Sequence, residues 1–452
     1  MPFAPVHPDP GQTASVESGY GQLLRNRPFL ALWLAQVVSQ IADNLLYFTL
    51  LVEVYRRTGA NTAVSALVLA FTIPALTFGL VAGVLVDRTD KRTILLATNI
   101  GRALISVLFV VGATGFAPIL VLGFAASILR QFFMPAEAAA LPRLLPPRQL
   151  FAANSLFTLT YNASFIVGFA SAGPLLKAAG ANAVYVLAAI FFAAASALCA
   201  ALPLISPGPR QGPITSRVDQ SRLVLRELRE GWAFLRSDAA TTRVMIQLAL
   251  AWSLSGITAA IAPGYATTVL GLNEEDAFFL VLPAGVGVVL GSLIIGHYGW
   301  RVRREVLIAA GFLGIGAAVV LLATAGRIIG NLLALLPWLT TIHPAISAML
   351  VAVMALSALL GFSNATAVIP ANTILQERTP DALRGRVFSV LNALGNVGST
   401  APVLLVGILA DLVGVRWLMI AIGVGVAGAG IASLAWPVPA PASRVDTPRD
   451  HT

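Results

Sequence analysis

"GVLVDRTDKR", Gly83 to Arg92, is the stretch from which the architecture can be read outward. Four small or apolar residues run into five charges within six positions: Asp87, Arg88, Asp90, Lys91 and Arg92. Charge is scarce elsewhere. Only 11% of the residues are Asp, Glu, Lys or Arg, against roughly 25% in an ordinary soluble domain. A chain that is 57% hydrophobic, with mean hydropathy +0.84, holds more apolar surface than a water-soluble core can hide. The charged bend therefore marks a place where the chain leaves an apolar phase, turns and re-enters it.

Working outward, charge-poor runs near the roughly 20 residues of a membrane-crossing helix recur. They predict spans at Pro28–Tyr55, Asn61–Val86, Thr93–Val111, Pro118–Leu141, Leu150–Leu176 and Ala181–Leu202. Six more follow at Val244–Leu270, Phe278–Ile295, Val306–Ala325, Ile346–Ile369, Val387–Ala410 and Trp417–Trp436. The fold class is an all-α integral membrane protein of twelve helices in two six-helix bundles, residues 28–204 and 239–437. Flexible tails cover residues 1–27 and 438–452, and a linker covers 205–238. The apolar stretch Ile328–Leu339 reads as an interfacial helix or an uncounted span.

Positive charge orients this map. With both termini cytoplasmic, 22 of the 29 basic residues fall in inside loops, as the positive-inside rule requires. A one-span shift would invert that ratio, so an even number of spans is expected. The same placement accounts for the net charge of +9 without invoking nucleic acid. In the linker, "SRLVLRELREGWAFLR" puts Leu225, Leu228, Trp232 and Leu235 on one helical face and Arg222, Arg226 and Arg229 on another. That pattern suits a helix lying on an anionic leaflet.

The halves echo each other at an offset of 234 residues: Ser155 with Ser389, Asn162 with Asn396, Gly173 with Gly407, Gly180 with Gly414. Spans two and eight share small-residue faces, Gly79/Gly83 and Gly287/Gly291. Together these suggest bundles related by an axis along the membrane normal.

Gly83, Asp87, Arg88, Lys91 and Arg92 fill a G-x-x-x-D-R-x-x-[KR]-R pattern that resembles the loop signature of the major facilitator superfamily. Asp90 stands where that signature usually has glycine, which predicts a looser bend. "MPAEAAALPRLLPPRQLFAANSL" (Met134–Leu156) and "IPANTILQERTPDALRGRVFSV" (Ile369–Val390) resemble its drug- and siderophore-exporter branch, that of macrolide efflux and enterobactin-exporter proteins. The resemblance implies a secondary transporter in the cell membrane, working as a monomer on a small-molecule substrate and protons. It also implies a cytoplasmic latch, with Asp87 meeting Arg92 within the bend or a helix N-terminus near Arg386 in the other half.

Ionisable groups at membrane depth cost roughly 2.5–3.5 kcal/mol on insertion scales and are functional candidates. Asp43, Arg102 and Arg130 lie near mid-span, and Glu137 lies two turns beyond Arg130 on the same face. Asp43 with Arg130 in reach is the expected proton-coupling pair, with Arg102 held by Glu137 or a backbone carbonyl. The second half carries amides instead, Gln247, Asn364, Asn372, Asn392 and Asn396. With Asn162 and the aromatic rings of Tyr47, Phe157, Tyr161 and Trp252, these are the candidate cargo contacts. Pro74, Pro135, Pro263, Pro283, Pro370 and Pro402 interrupt spans and are candidate kinks or hinges.

No phosphate-binding Gly-Lys, HExxH or GxSxG is present, and the four histidines are scattered. Enzyme chemistry, a metal site and a cofactor are therefore not expected. Proton-coupled efflux of an amphipathic or cationic small molecule is the leading reading. A lysophospholipid or lipid flippase, or a non-transporting sensor or scaffold, is the alternative.

Overall fold

In the computed structural model, residues 21–112, 115–205, 239–335, 345–378 and 402–435 are described, and among them there is no strand. Among the described residues ten helices are long and apolar enough to cross a membrane, with Pro402–Val413 as a shorter apolar helix. Spans one to four are Arg27–Thr58, Asn61–Arg88, Lys91–Gly112 and Phe116–Leu144. Spans five and six run together as Pro147–Ala200. Seven to ten are Ala239–Thr268, Phe278–Tyr298, Arg304–Leu335 and Ala345–Arg378. Pro402–Val413 is the described part of span eleven, and Val415–Ala435 is span twelve.

Local chemistry sets these boundaries. Asn26 caps span one, its side chain accepting from the Phe29 amide at 3.2 Å. Gly59 ends that span at φ 65°, a left-handed conformation that costs glycine little. The joined spans five and six break at Gly180, φ 78° and ψ 171°. Gly414, its partner in the sequence repeat, separates spans eleven and twelve at φ 85°. The internal echo thus falls on two glycines with positive φ.

One sequence expectation changes. Ile328–Leu339 is not a separate element where described, because span nine continues through it to Leu335. Gly79 and Gly83 meet nothing within 4 Å among the described residues. Their counterparts in span eight make close approaches. A Cβ on Gly287 would lie 2.0 Å from the Ala358 carbonyl oxygen and one on Gly291 2.9 Å from that of Phe362. Small residues thus bring spans eight and ten together. The amphipathic linker segment, Arg386, Asn392 and Asn396 lie outside the described residues.

The chain forms two compact units. The first comprises Met1–Pro213 with Ala259–Leu282 and Val406–Asp411, and the second comprises Ile214–Thr258, Pro283–Leu405 and Leu412–Thr452. The first has a core of Phe29, Leu32, Leu95, Phe133, Ala195 and neighbouring residues. The second packs Val244, Leu248, Ile308, Phe312 and Leu375. Large side chains such as Leu104 (60%) and Val111 (76%) remain exposed. Helices satisfy their own backbone polar groups, so such faces suit a hydrocarbon surround.

Candidate functional site

The mid-span charges of the first unit meet in an arrangement different from the expected one. Arg102 is 1% exposed. It donates from Nη1 to Asp43 Oδ2 at 2.8 Å, from Nη2 to Asn99 Oδ1 at 2.8 Å and from Nε to the Thr98 carbonyl at 3.4 Å. The Phe133 and Phe192 rings each lie 4.7 Å from its guanidinium carbon. All three guanidinium nitrogens donate and two rings lie against the group, which an ammonium could not reproduce. Removing one member of so buried a pair leaves the other charge unpaired, a loss of about 3–5 kcal/mol.

Arg130 therefore does not hold Asp43 here; it donates to the Tyr161 hydroxyl at 3.1 Å. Its Nε is buried without a hydrogen-bond partner among the described residues. Glu137 is 9% exposed, and its Oε1 is likewise without a partner. Tyr47 packs edge-on against Phe71 at 5.0 Å. The exposed Asn162 donates to its own helix, to the Thr158 carbonyl. In the second unit Gln247 donates to Ser433 Oγ at 3.0 Å and Asn364 to the Ala251 carbonyl at 3.3 Å. Asn372 bonds back to Val368. Gln247 and Asn364 thus link span seven to spans twelve and ten.

At one end of the first unit lies the charged bend. Asp87 is exposed, and among the described residues no hydrogen bond or ion pair reaches its carboxylate. Arg92 does not pair with it but donates to the Ala200 carbonyl at 2.6 Å, at the negative end of span six. Lys91 is buried and donates to the carbonyls of Asp87 and Thr89. Asp90, expected to loosen the bend, secures it. Oδ2 accepts from the Thr93 amide and hydroxyl, both at 2.8 Å, capping span three. Oδ1 accepts from the Ile205 amide at 2.6 Å. Partial burial raises its pKa, but the bonds from Thr93 and Ile205 and the Arg92 charge outweigh that, leaving it below the usual carboxylate value.

At the opposite end of the same unit is a constellation that sequence reasoning missed. Span two begins after Ala60, which provides no side-chain cap, and has no acid in its first turn. Asp411 fills both roles. Its Oδ1 accepts from the Asn61 amide and side chain at 2.8 and 2.9 Å. Its Oδ2 accepts from the Thr62 amide and hydroxyl at 2.9 and 2.6 Å. One turn earlier, a Cβ on Gly407 would lie 2.7 Å from that of Ser65 and 2.8 Å from the Asn61 carbonyl oxygen. Nearby, Lys177 pairs with Asp276 at 3.5 Å, and Arg56 bridges Glu53 and Glu275. The bare start of span two and the acid at the end of span eleven were the available signals. Their separation of 350 residues concealed the match.

An all-helical chain of apolar, membrane-length helices, with an ion pair buried inside one unit, falls in the class of multi-pass helical membrane proteins. The family model of the Major Facilitator Superfamily matches residues 32–340 and 319–451, and the chain belongs to that family. Macrolide efflux protein A of Streptococcus pyogenes is 24% identical over 398 residues, covering 87% of this chain and 92% of that protein. The enterobactin exporter EntS of Escherichia coli is 26% identical over 399 residues, covering 85% and 86%. A crystal structure of a variant of the nucleoside transporter NupG shares the fold at TM-score 0.71 and 12% identity, covering 90% of this chain and 98% of that one.

Proposed function

We propose that this transporter exports an amphipathic or cationic small molecule in exchange for protons, by alternating access across the cell membrane. The efflux functions named for its relatives support the direction. The placement of 22 of 29 basic residues on one side supports cytoplasmic termini and a cytoplasmic charged bend. The Asp411 end then faces outward.

The observation that carries the reading is the Asp43–Arg102 pair. Asp43 is a carboxylate 14% exposed, tied at 2.8 Å to a guanidinium that is 1% exposed. A proton on Asp43 removes the charge that Arg102 neutralises. Arg102 retains Asn99, the Thr98 carbonyl and two ring faces, so the pair can open while the cation stays solvated by the protein. Glu137 is the second acid of the site. Arg130, Tyr161 and Tyr47 form its cargo-facing side.

The test reads protons and cargo separately. Purified protein in weakly buffered detergent is titrated with a macrolide and with a lipophilic cationic dye. Wild type releases protons on binding, whereas Asp43→Asn binds without release and loses gradient-driven dye uptake in inverted vesicles. Wild-type release from Asp43→Asn, with loss in Glu137→Gln, moves the coupling site to Glu137. No release from wild type with either probe overturns proton exchange.

A further inference from the structure

We infer that Asp411 and Lys177 are the paired jaws of a clamp that holds the outward-facing end shut in this conformation and must release during each transport cycle. The assignment of that end to the outside rests on the function proposed above; the clamp itself rests on geometry within the first unit.

The two residues occupy equivalent places in the internal repeat. Gly173 and Gly407 are 234 positions apart, as are Lys177 and Asp411. Each glycine lies four residues, about one helical turn, before its charged partner. Each also meets the start of a helix from the other sequence half. Gly407 sits on Asn61 and Ser65 at the start of span two, while a Cβ on Gly173 would lie 2.3 Å from Phe278 Cδ1 and 2.9 Å from the Glu275 carbonyl oxygen, at the start of span eight. A glycine contact followed by a charge one turn later thus occurs twice, on spans five and eleven, against spans eight and two.

The jaws differ in chemistry. Span eight is preceded by its own capping box, Asn273 with Asp276, so Lys177 adds only a partly exposed ion pair to an already capped turn. Its side chain is 58% exposed, with Asp276 at 8%. Span two lacks an internal cap, and four donors converge on Asp411 alone. A carboxylate that accepts two amides at a helix N-terminus combines charge-assisted hydrogen bonds with the helix dipole. When Asp411 withdraws, the Asn61 and Thr62 amides lose these partners and open to water. The bond set is strong enough to bias the closed state and remains reversible, because water at the mouth can replace every partner lost. Gly264 reinforces the arrangement: a Cβ there would lie 2.1 Å from Asn61 Oδ1, so a side chain would displace Asn61.

The test uses two thiols in the full-length protein. Ser65→Cys places one beneath Gly407, at a position 0% exposed. Native Cys199, also 0% exposed, lies beside Arg92's acceptor Ala200 and reports unfolding. Maleimide labelling in detergent is read separately for each by peptide mass spectrometry. Asp411→Ala is expected to label at Ser65→Cys about tenfold faster than the parent. Asp411→Asn and Thr62→Val should show smaller increases, and Lys177→Ala the smallest, with Cys199 protected throughout. Unchanged labelling in both Asp411 variants overturns the clamp. Parallel labelling of Cys199 also overturns it, because Asp411 would then be holding the fold rather than an opening. A clamp response in a protein that fails to move dye or macrolide sinks the efflux reading and leaves the clamp standing.

Discussion

Span two carries acid-mediated contacts at both ends, built in different ways. At the Arg88 end the charges are consumed locally. Asp90 caps the helix that follows and holds Ile205, Arg92 engages the end of span six, and Lys91 closes the turn on Asp87 and Thr89. At the Asn61 end, nothing nearby in sequence supplies a cap, and one residue 350 positions away provides it. A contact made by neighbours within one bundle stabilises the bundle in every state. A contact supplied from the other sequence half stabilises one state and is lost in another. Charge density alone therefore does not reveal which end is conditional.

The largest expected effect breaks the conditional end by force. Gly407→Leu drives a branched side chain onto Ser65 and the Asn61 carbonyl. Overpacking of this kind costs about 1–3 kcal/mol, here directed against the closed state. Labelling of Ser65→Cys should exceed that in Asp411→Asn, and transport should fail. Normal transport with protected Ser65→Cys would mean that the approach of spans two and eleven is dispensable.

Asp90→Ala tests the permanent end. Losing a cap costs about 1 kcal/mol, so Tm should fall while Ser65→Cys labelling stays at the parent rate. Acid should mimic the mutation in wild type. The folded-state pKa of Asp90 is depressed, so its contribution is fully present above the unfolded carboxylate value, near 3.9. That contribution is lost as pH falls through the lower folded value. A thermal-melt series from about pH 5 downward should therefore bring wild type towards Asp90→Ala. A constant difference across that range would remove Asp90 from the account.

The smallest effect belongs to Asp87→Asn. The side chain is exposed, so stability should change by no more than roughly 0.5 kcal/mol, as is typical of surface changes, and Tm should barely move. If it also serves as the latch implied by its family signature, cysteine crosslinking across the cytoplasmic face should fall without a change in Tm. A Tm loss matching Asp90→Ala would erase the contrast between the two acids.

Much of this was legible from residue order. Apolar run lengths located the helices, and the 234-residue echo fell on Gly180 and Gly414, which both have positive φ. Asp43 and Arg102 were recognisable as membrane-depth charges, but not as partners. Helical periodicity gives the face a side chain occupies, not which of several neighbouring helices faces it. Arg130 was the expected partner, yet Arg102 reaches Asp43 while engaging Asn99 one turn away. Asp90 was misread because a departure from a family glycine suggests a loosened turn, whereas Asp-x-x-Thr also spells a helix cap. Asp411 resembled any acid at the end of a span until the uncapped start of span two gave it a purpose.

Pro74 lies at the middle of span two, Asn61–Arg88. At 1.5 Å per residue that helix is about 42 Å long, with arms of about 21 Å on either side. Tilting one arm by about 8° displaces its tip by about 3 Å, the length of the hydrogen bonds at stake. A proline at the fulcrum removes one backbone hydrogen bond and eases bending there. Span two can then act as a jointed lever: the Asn61 arm swings free of Asp411 while the Arg88 arm remains bolted to spans three and six.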